Sequence, residues 1–133
     1  MVKRRKRGQA GFTLIEMLIV IAMITILLSI AIPSYRQSIQ RARDSVLRQN
    51  LFTLRNQISE FTLDKQRAPQ SLDDLVQAGY VKEIPTDPCT GQKDWTVEQE
   101  DVLMAVDQQQ PGITDVHSNC PGNSADGSAY SSW

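Results

Sequence analysis

Residues 12–32, FTLIEMLIVIAMITILLSIAI, form a run of 21 residues with a single ionisable group, Glu16. As an α-helix the run is about 31 Å long, close to the thickness of a bilayer hydrocarbon core. Its many β-branched residues carry only a modest helix penalty, which lipid exposure overrides. Ahead of it stand Lys3, Arg4, Arg5, Lys6 and Arg7 with no acid, and no basic cluster follows Ile32 directly. The positive-inside rule therefore expects residues 1–11 in the cytoplasm and the rest across the membrane.

The whole chain has 133 residues, room for one small domain, and a net charge of −1. That near-neutrality is a cancellation. Residues 1–11 carry +5, residues 12–32 carry −1, residues 33–68 carry +4 and residues 69–133 carry −9. Such a division suits segments facing different environments, not a uniformly soluble globule.

A secretory signal peptide shares the basic start and apolar run, and three features count against it. The run exceeds the 7–15 residues of a signal core. The small pair Ser29 and Ala31 would leave Ile32-Pro33 at the new terminus. Glu16 has no use in a segment destined for removal. An uncleaved anchor is the other alternative, and there too Glu16 needs a reason, because an acid in a membrane helix costs up to about 2.5–3.5 kcal/mol at the bilayer centre. In an intact chain Arg7 is within reach. If the chain is cut between Gly11 and Phe12, the new α-amino group is a cation that Glu16 of a neighbouring chain can neutralise.

The string KRRKRGQAGFTLIEMLIVIAMITILLSIAIPSY resembles the type III signal sequence of the type IV pilin superfamily. Gly11 matches the residue before the cleavage point, Phe12 the residue that becomes N-methylated, Glu16 the assembly glutamate and Pro33 the helix-kinking proline. The resemblance implies cleavage by a prepilin peptidase and homopolymerisation on an inner-membrane platform, in contact with membrane lipid.

Beyond Pro33 the helical pattern resumes. Tyr35, Ile39, Ala42, Val46, Leu47, Leu51, Leu54, Ile58 and Phe61 follow three- and four-residue spacings. Arg36, Gln40, Arg43, Arg48, Arg55 and Gln57 lie largely off that stripe, as a solvated face or as contacts for acidic surfaces of neighbouring subunits. Nucleic acid is not an expected partner, since residues 12–133 carry −6 and the arginines have no aromatic interleaving. Pro69 is expected to close the helix at residue 68. Ser71 reads as the N-cap of a short second helix, with Asp74 three residues on and Gly79 as its terminator. Ile84-Pro85-Thr86-Asp87-Pro88 is a loop. Residues 95–97 and 102–106 read as strands around an acidic turn at 98–101, with a third strand at 113–116 and an irregular stretch at 118–133. The expected architecture is α+β: a long N-terminal helix, membrane-spanning in its first half, packed on a small antiparallel sheet. Its segments are a leader (1–11), a membrane or filament-core helix (12–32), an amphipathic continuation (33–68) and a loop-rich periplasmic region (69–133).

The segments 71–88 and 112–133 are similar to those of type II secretion major pseudopilins, with a Gly-Tyr, an Ile-Pro-x-Asp-Pro loop and a terminal tryptophan. That resemblance implies a subunit of a periplasmic pseudopilus that helps export folded proteins, working with minor pseudopilins. Two departures are visible. Cys89-Thr90-Gly91-Gln92 replaces the aromatic and Gly-Asn-Pro that usually follow Asp-Pro, and the C-terminal loop lacks the usual glycine pair. Type IV pilins and competence pseudopilins are the nearest alternative, and a singly anchored, non-polymerising domain is the alternative of another class.

Cys89 and Cys120 both lie in the exported part, where a disulfide is permitted. Closing that loop is worth about 3 kcal/mol in the chain-entropy model. A zinc site built on the two cysteines and His117 is disfavoured by the absence of CxxC spacing and by thiolates in an oxidising space. Asp115, Ser118, Asn119, Asn123, Ser124 and Asp126 place several hard oxygens within twelve residues, a composition that by itself favours a solvated loop over a calcium site. The pseudopilin resemblance implies structural calcium there, with Asp115, Ser118 and Asp126 as its side-chain donors. His117 has no nucleophile motif around it and reads as a packing or surface residue. Nothing in the sequence points to catalysis.

Overall fold

A computed structural model describes residues 11–100 and 111–133. The leader up to residue 10 and the strand expected at 102–106 lie outside the described residues. The chain divides into two compact units, the first ending at Arg36 and the second running Gln37–Trp133.

One helix, α1 (Leu14–Lys65), contributes to both units. In the first unit it is almost purely apolar, and Pro33 stands inside the helix. Its scattered hydroxyls do not open it. Thr25, Ser29 and Ser34 donate to the carbonyls of Ile21, Ile26 and Ile30, within one turn of themselves. Each polar side chain is thereby satisfied by its own helix, as a lipid-facing segment requires.

In the second unit, Leu47, Leu51, Leu54, Ile58 and Phe61 form the buried stripe of α1. Leu75, Ile84, Trp95, Ile113, Val116, Cys120 and Tyr130 close over it. Residues 69–133 have too few large apolar side chains to bury one another, so the helix serves as the second core layer. The stripe does not extend upward as the spacing suggests. Val46 is half exposed, and the buried position preceding Leu47 belongs to Asp44.

The helix ends at Lys65, before the expected 68. Gln66 takes a left-handed conformation (φ 54°), and its side-chain amide donates to the Leu63 carbonyl, so the turn is made before Pro69 can impose it. The second helix, α2 (Leu72–Gln77), starts as expected. The Asp74 carboxylate accepts from the main-chain N–H groups of Gln70 and Ser71 and from the Ser71 hydroxyl. Gly79, at φ 82°, turns the chain so that the Tyr80 N–H reaches the Leu75 carbonyl.

Strands β1 (Thr96–Glu100) and β2 (Gly112–His117) pair antiparallel, with a bulge between Glu98 and Gln99. Glu98 and Glu100 belong to β1, not to a turn. Charge density suggested a turn, but one face of this hairpin points away from the core and tolerates acids. Val97 opposite Val116 faces inward, while Glu98 opposite Asp115 and Thr96 opposite His117 share the other face. The last stretch is not wholly irregular: Asn123 bridges Ala129, and residues Tyr130–Ser132 form a 3-10 turn.

Candidate membrane and assembly surface

The beginning of α1 is built by Thr13. Its hydroxyl accepts from the Glu16 N–H at 3.2 Å, and its carbonyl accepts from the Met17 N–H at 3.2 Å. The Thr13 hydroxyl therefore caps the start of the helix, and the Glu16 carboxylate lies in the first turn, where the helix dipole favours an anion. The spacing of Thr13 and Glu16 was legible in the sequence but is easily passed over beside the apolar run.

From that cap the first unit presents a continuous apolar surface. Phe12 is 74% exposed and Leu14 84%. The most apolar 18-residue window of α1 has a mean hydropathy of 2.8, and none of it is buried among the described residues. A surface this large and apolar is not stable in water and requires lipid or other helices around it.

The C-terminal loop is fastened to the second half of α1 by charge. Arg48 donates to Asp126 at 2.6 Å and Arg55 to Asp115 at 2.6 Å, with a further bond from Arg55 to the Val116 carbonyl. These two arginines are intrachain clamps, not a merely solvated face. Asp44 is buried and accepts from the Tyr130 hydroxyl at 2.6 Å and the Ala125 N–H at 2.7 Å. Desolvation first, and then the bond to Asp44, raise the Tyr130 phenol above its ordinary pKa. Asp44 is not apparent from residue type, although its position three residues before Leu47 continues the buried stripe.

The three donors expected to hold calcium have separate partners. Asp126 accepts from Ser124, Ser128 and Arg48, which together hold its pKa well below the usual carboxylate range. Asp115 Oδ1 accepts from Arg55 and the Val116 N–H. Ser118 donates to the buried Asp87, which also accepts from the Cys89 N–H and so organises the Ile84–Pro88 loop. Asp126, Asp115 and Ser118 are thus each engaged by a different partner, Arg48, Arg55 and Asp87 respectively. Cys89 and Cys120 are joined by a disulfide, which ties the same two loops together covalently.

The prokaryotic N-terminal methylation motif matches residues 6–32. The competence protein ComGC of Halalkalibacterium halodurans is 38% identical over 81 residues, covering 61% of this chain and 79% of that protein. The type II secretion system core protein G of Aeromonas hydrophila is 32% identical over 100 residues, covering 63% of this chain and 70% of that protein. The type IV major fimbrial protein FimA of Dichelobacter nodosus is 42% identical over 65 residues, covering 49% and 41%. No solved structure matches the chain.

Proposed function

The chain belongs to the type IV pilin superfamily, and from that premise we propose that it is the repeating subunit of a type II secretion pseudopilus. The observation that carries this reading is the exposed apolar half of α1, starting at Phe12 with Glu16 in its first turn. Cleavage after Gly11 and N-methylation of Phe12 leave a cationic terminus on an apolar helix. Glu16 of a neighbouring subunit neutralises it, and outside water such a pair is strong only when both partners are present. Subunits wait as single-pass inner-membrane proteins, with the leader cytoplasmic until it is cleaved and residues 37–133 periplasmic. They then leave the bilayer together as their apolar helices exchange lipid for one another. The protein works by assembling and needs no catalytic residue of its own.

Similarity to protein G over 100 residues supports the secretion reading, together with the Ile84-Pro85-Thr86-Asp87-Pro88 loop. A competence fibre is the second reading, favoured by the higher identity to ComGC. Mass spectrometry of the mature protein tests the shared premise: an N-methylated Phe12 at the start is expected, and a retained leader overturns it. Deletion of the gene separates the two readings. Secreted enzymes accumulating in the periplasm support secretion, whereas intact secretion with lost transformability supports competence.

A further inference from the structure

On the outward face of the β-hairpin, Glu98, Asp115 and His117 bring one ligand atom each to within 4.8 Å of one another. The His117 Nε2 is 3.2 Å from Glu98 Oε1 and 3.6 Å from Asp115 Oδ2. The opposite ring nitrogen, Nδ1, lies 2.7 Å from the main-chain oxygen of Trp133. That oxygen can only accept, so Nδ1 carries the hydrogen, and in the neutral ring Nε2 is a bare lone pair. The two carboxylate oxygens facing Nε2 leave room there for a positive centre, a proton on the ring or a bound metal ion.

The surroundings are those of ligands held in place. The Nδ1–H bond to a main-chain oxygen fixes the ring orientation and raises the basicity of Nε2, as it does for metal-bound histidines. Asp115 spends its other oxygen, Oδ1, on Arg55 and the Val116 N–H, which leaves Oδ2 for the cluster. Cross-strand pairing sets Glu98 against Asp115, and His117 follows two residues along β2 on the same face.

We propose that Glu98, Asp115 and His117 bind a divalent transition metal of the zinc class. With bonds of about 2.1 Å, a tetrahedral ion needs ligand atoms roughly 3.4 Å apart, and the separations of 3.2 and 3.6 Å bracket that value. Two carboxylates neutralise the ion, and the imidazole selects zinc over calcium and magnesium. Calcium would call for six to eight oxygens, which these three residues do not supply. The metal would cross-link β1 to β2 and, through the His117 ring, to Trp133. The pair of cysteines cannot supply thiolates while disulfide-bonded, so this site is separate from them.

The test uses the full chain in detergent, without a polyhistidine tag, under non-reducing conditions. Calorimetric titration with zinc chloride is expected to saturate at one ion per chain. Excess zinc is expected to raise the melting midpoint by several degrees, and calcium and magnesium chloride are expected to leave it unchanged. Glu98→Gln is the deciding variant, because Glu98 is exposed and its loss does not threaten the fold. It and His117→Gln should each weaken binding by more than the roughly 10–100-fold that losing an outer-shell partner costs. Absence of a saturable zinc heat overturns the proposal, as does undiminished binding by Glu98→Gln or an equal shift with calcium.

Discussion

Arg48 bonds Asp126 at 2.6 Å while its guanidinium lies over the Trp133 ring, 4.1 Å from the centroid. One side chain of α1 thus holds the C-terminal loop twice, by charge and by its planar face. Trp133 in turn stacks edge-on against Tyr130, whose hydroxyl bonds Asp44 one helical turn before Arg48. The loop is fastened by residues that each have two tasks, and several measurable consequences follow from that.

Acid should loosen this fastening. The Asp126 carboxyl is held below its ordinary pKa by the Ser124 and Ser128 hydroxyls, then by Arg48. A carboxyl depressed in the folded state stabilises fully above its unfolded value of about 3.9 and loses that contribution as pH falls below it. Asp126→Asn should therefore be less stable than the wild type at pH 7, with the difference shrinking as the pH is lowered below 4. Urea midpoints measured across that range check this.

Removing the buried acid should cost more than removing an exposed one. Asp44→Ala leaves the Tyr130 hydroxyl and the Ala125 N–H without their acceptor. The expected loss is about 3 kcal/mol, and Tyr130→Phe should cost about half of that. Thermal melting reads both, at roughly 4–8 °C per kcal/mol for a domain of this size.

The disulfide closes a separation of 31 residues. In the chain-entropy model its removal costs about 3–4 kcal/mol. The Cys89→Ser, Cys120→Ser double variant should show that loss in denaturant unfolding. Reductant should destabilise the wild type and leave the double variant unaffected.

Two apolar residues of α1 should behave oppositely. Leu54 is fully buried, and Leu54→Ala should destabilise the monomer by about 3 kcal/mol. Phe52, 61% exposed, lines an open groove with Arg41, Ser45 and Gln49. Phe52→Ala should change monomer stability by less than about 0.5 kcal/mol. Comparative melting of the two variants in detergent checks the contrast.

Glu16→Ala should leave membrane insertion and the fold of residues 37–133 unchanged, because Glu16 is an exposed residue of the first unit and the core of the second is built from other residues. Fibre formation should be lost. Membrane fractionation, with electron microscopy of sheared fibres, separates the two outcomes.

The parts of this protein that answer to local chemistry were readable from residue order alone. An apolar run of bilayer length, its basic flank, the Gly11-Phe12 junction and Glu16 need no tertiary partner to be recognised. Hydropathy and charge act on each segment directly. The capping of α2 by Ser71 and Asp74 is local in the same way. The end of α1 was misplaced by three residues because a left-handed Gln66 has no strong compositional mark. The acids of β1 looked like a turn because charge says nothing of which face of a strand meets the core.

The pairing of polar groups distant in sequence came only with the folded chain. Asp44, Arg48, Arg55 and Asp87 look like surface residues by type, yet they secure the C-terminal loop from positions 31 to 86 residues away. Asp115, Ser118 and Asp126 look like free loop oxygens by spacing, yet each is taken up by a different partner, Arg55, Asp87 and Arg48. Glu98 and His117 are nineteen residues apart in sequence and meet only because β1 and β2 pair in one register. The membrane-facing half of the chain was determined by composition, which a segment carries with it. The loop and its clusters were determined by contacts, which exist only once the second half of α1 has a core packed against it.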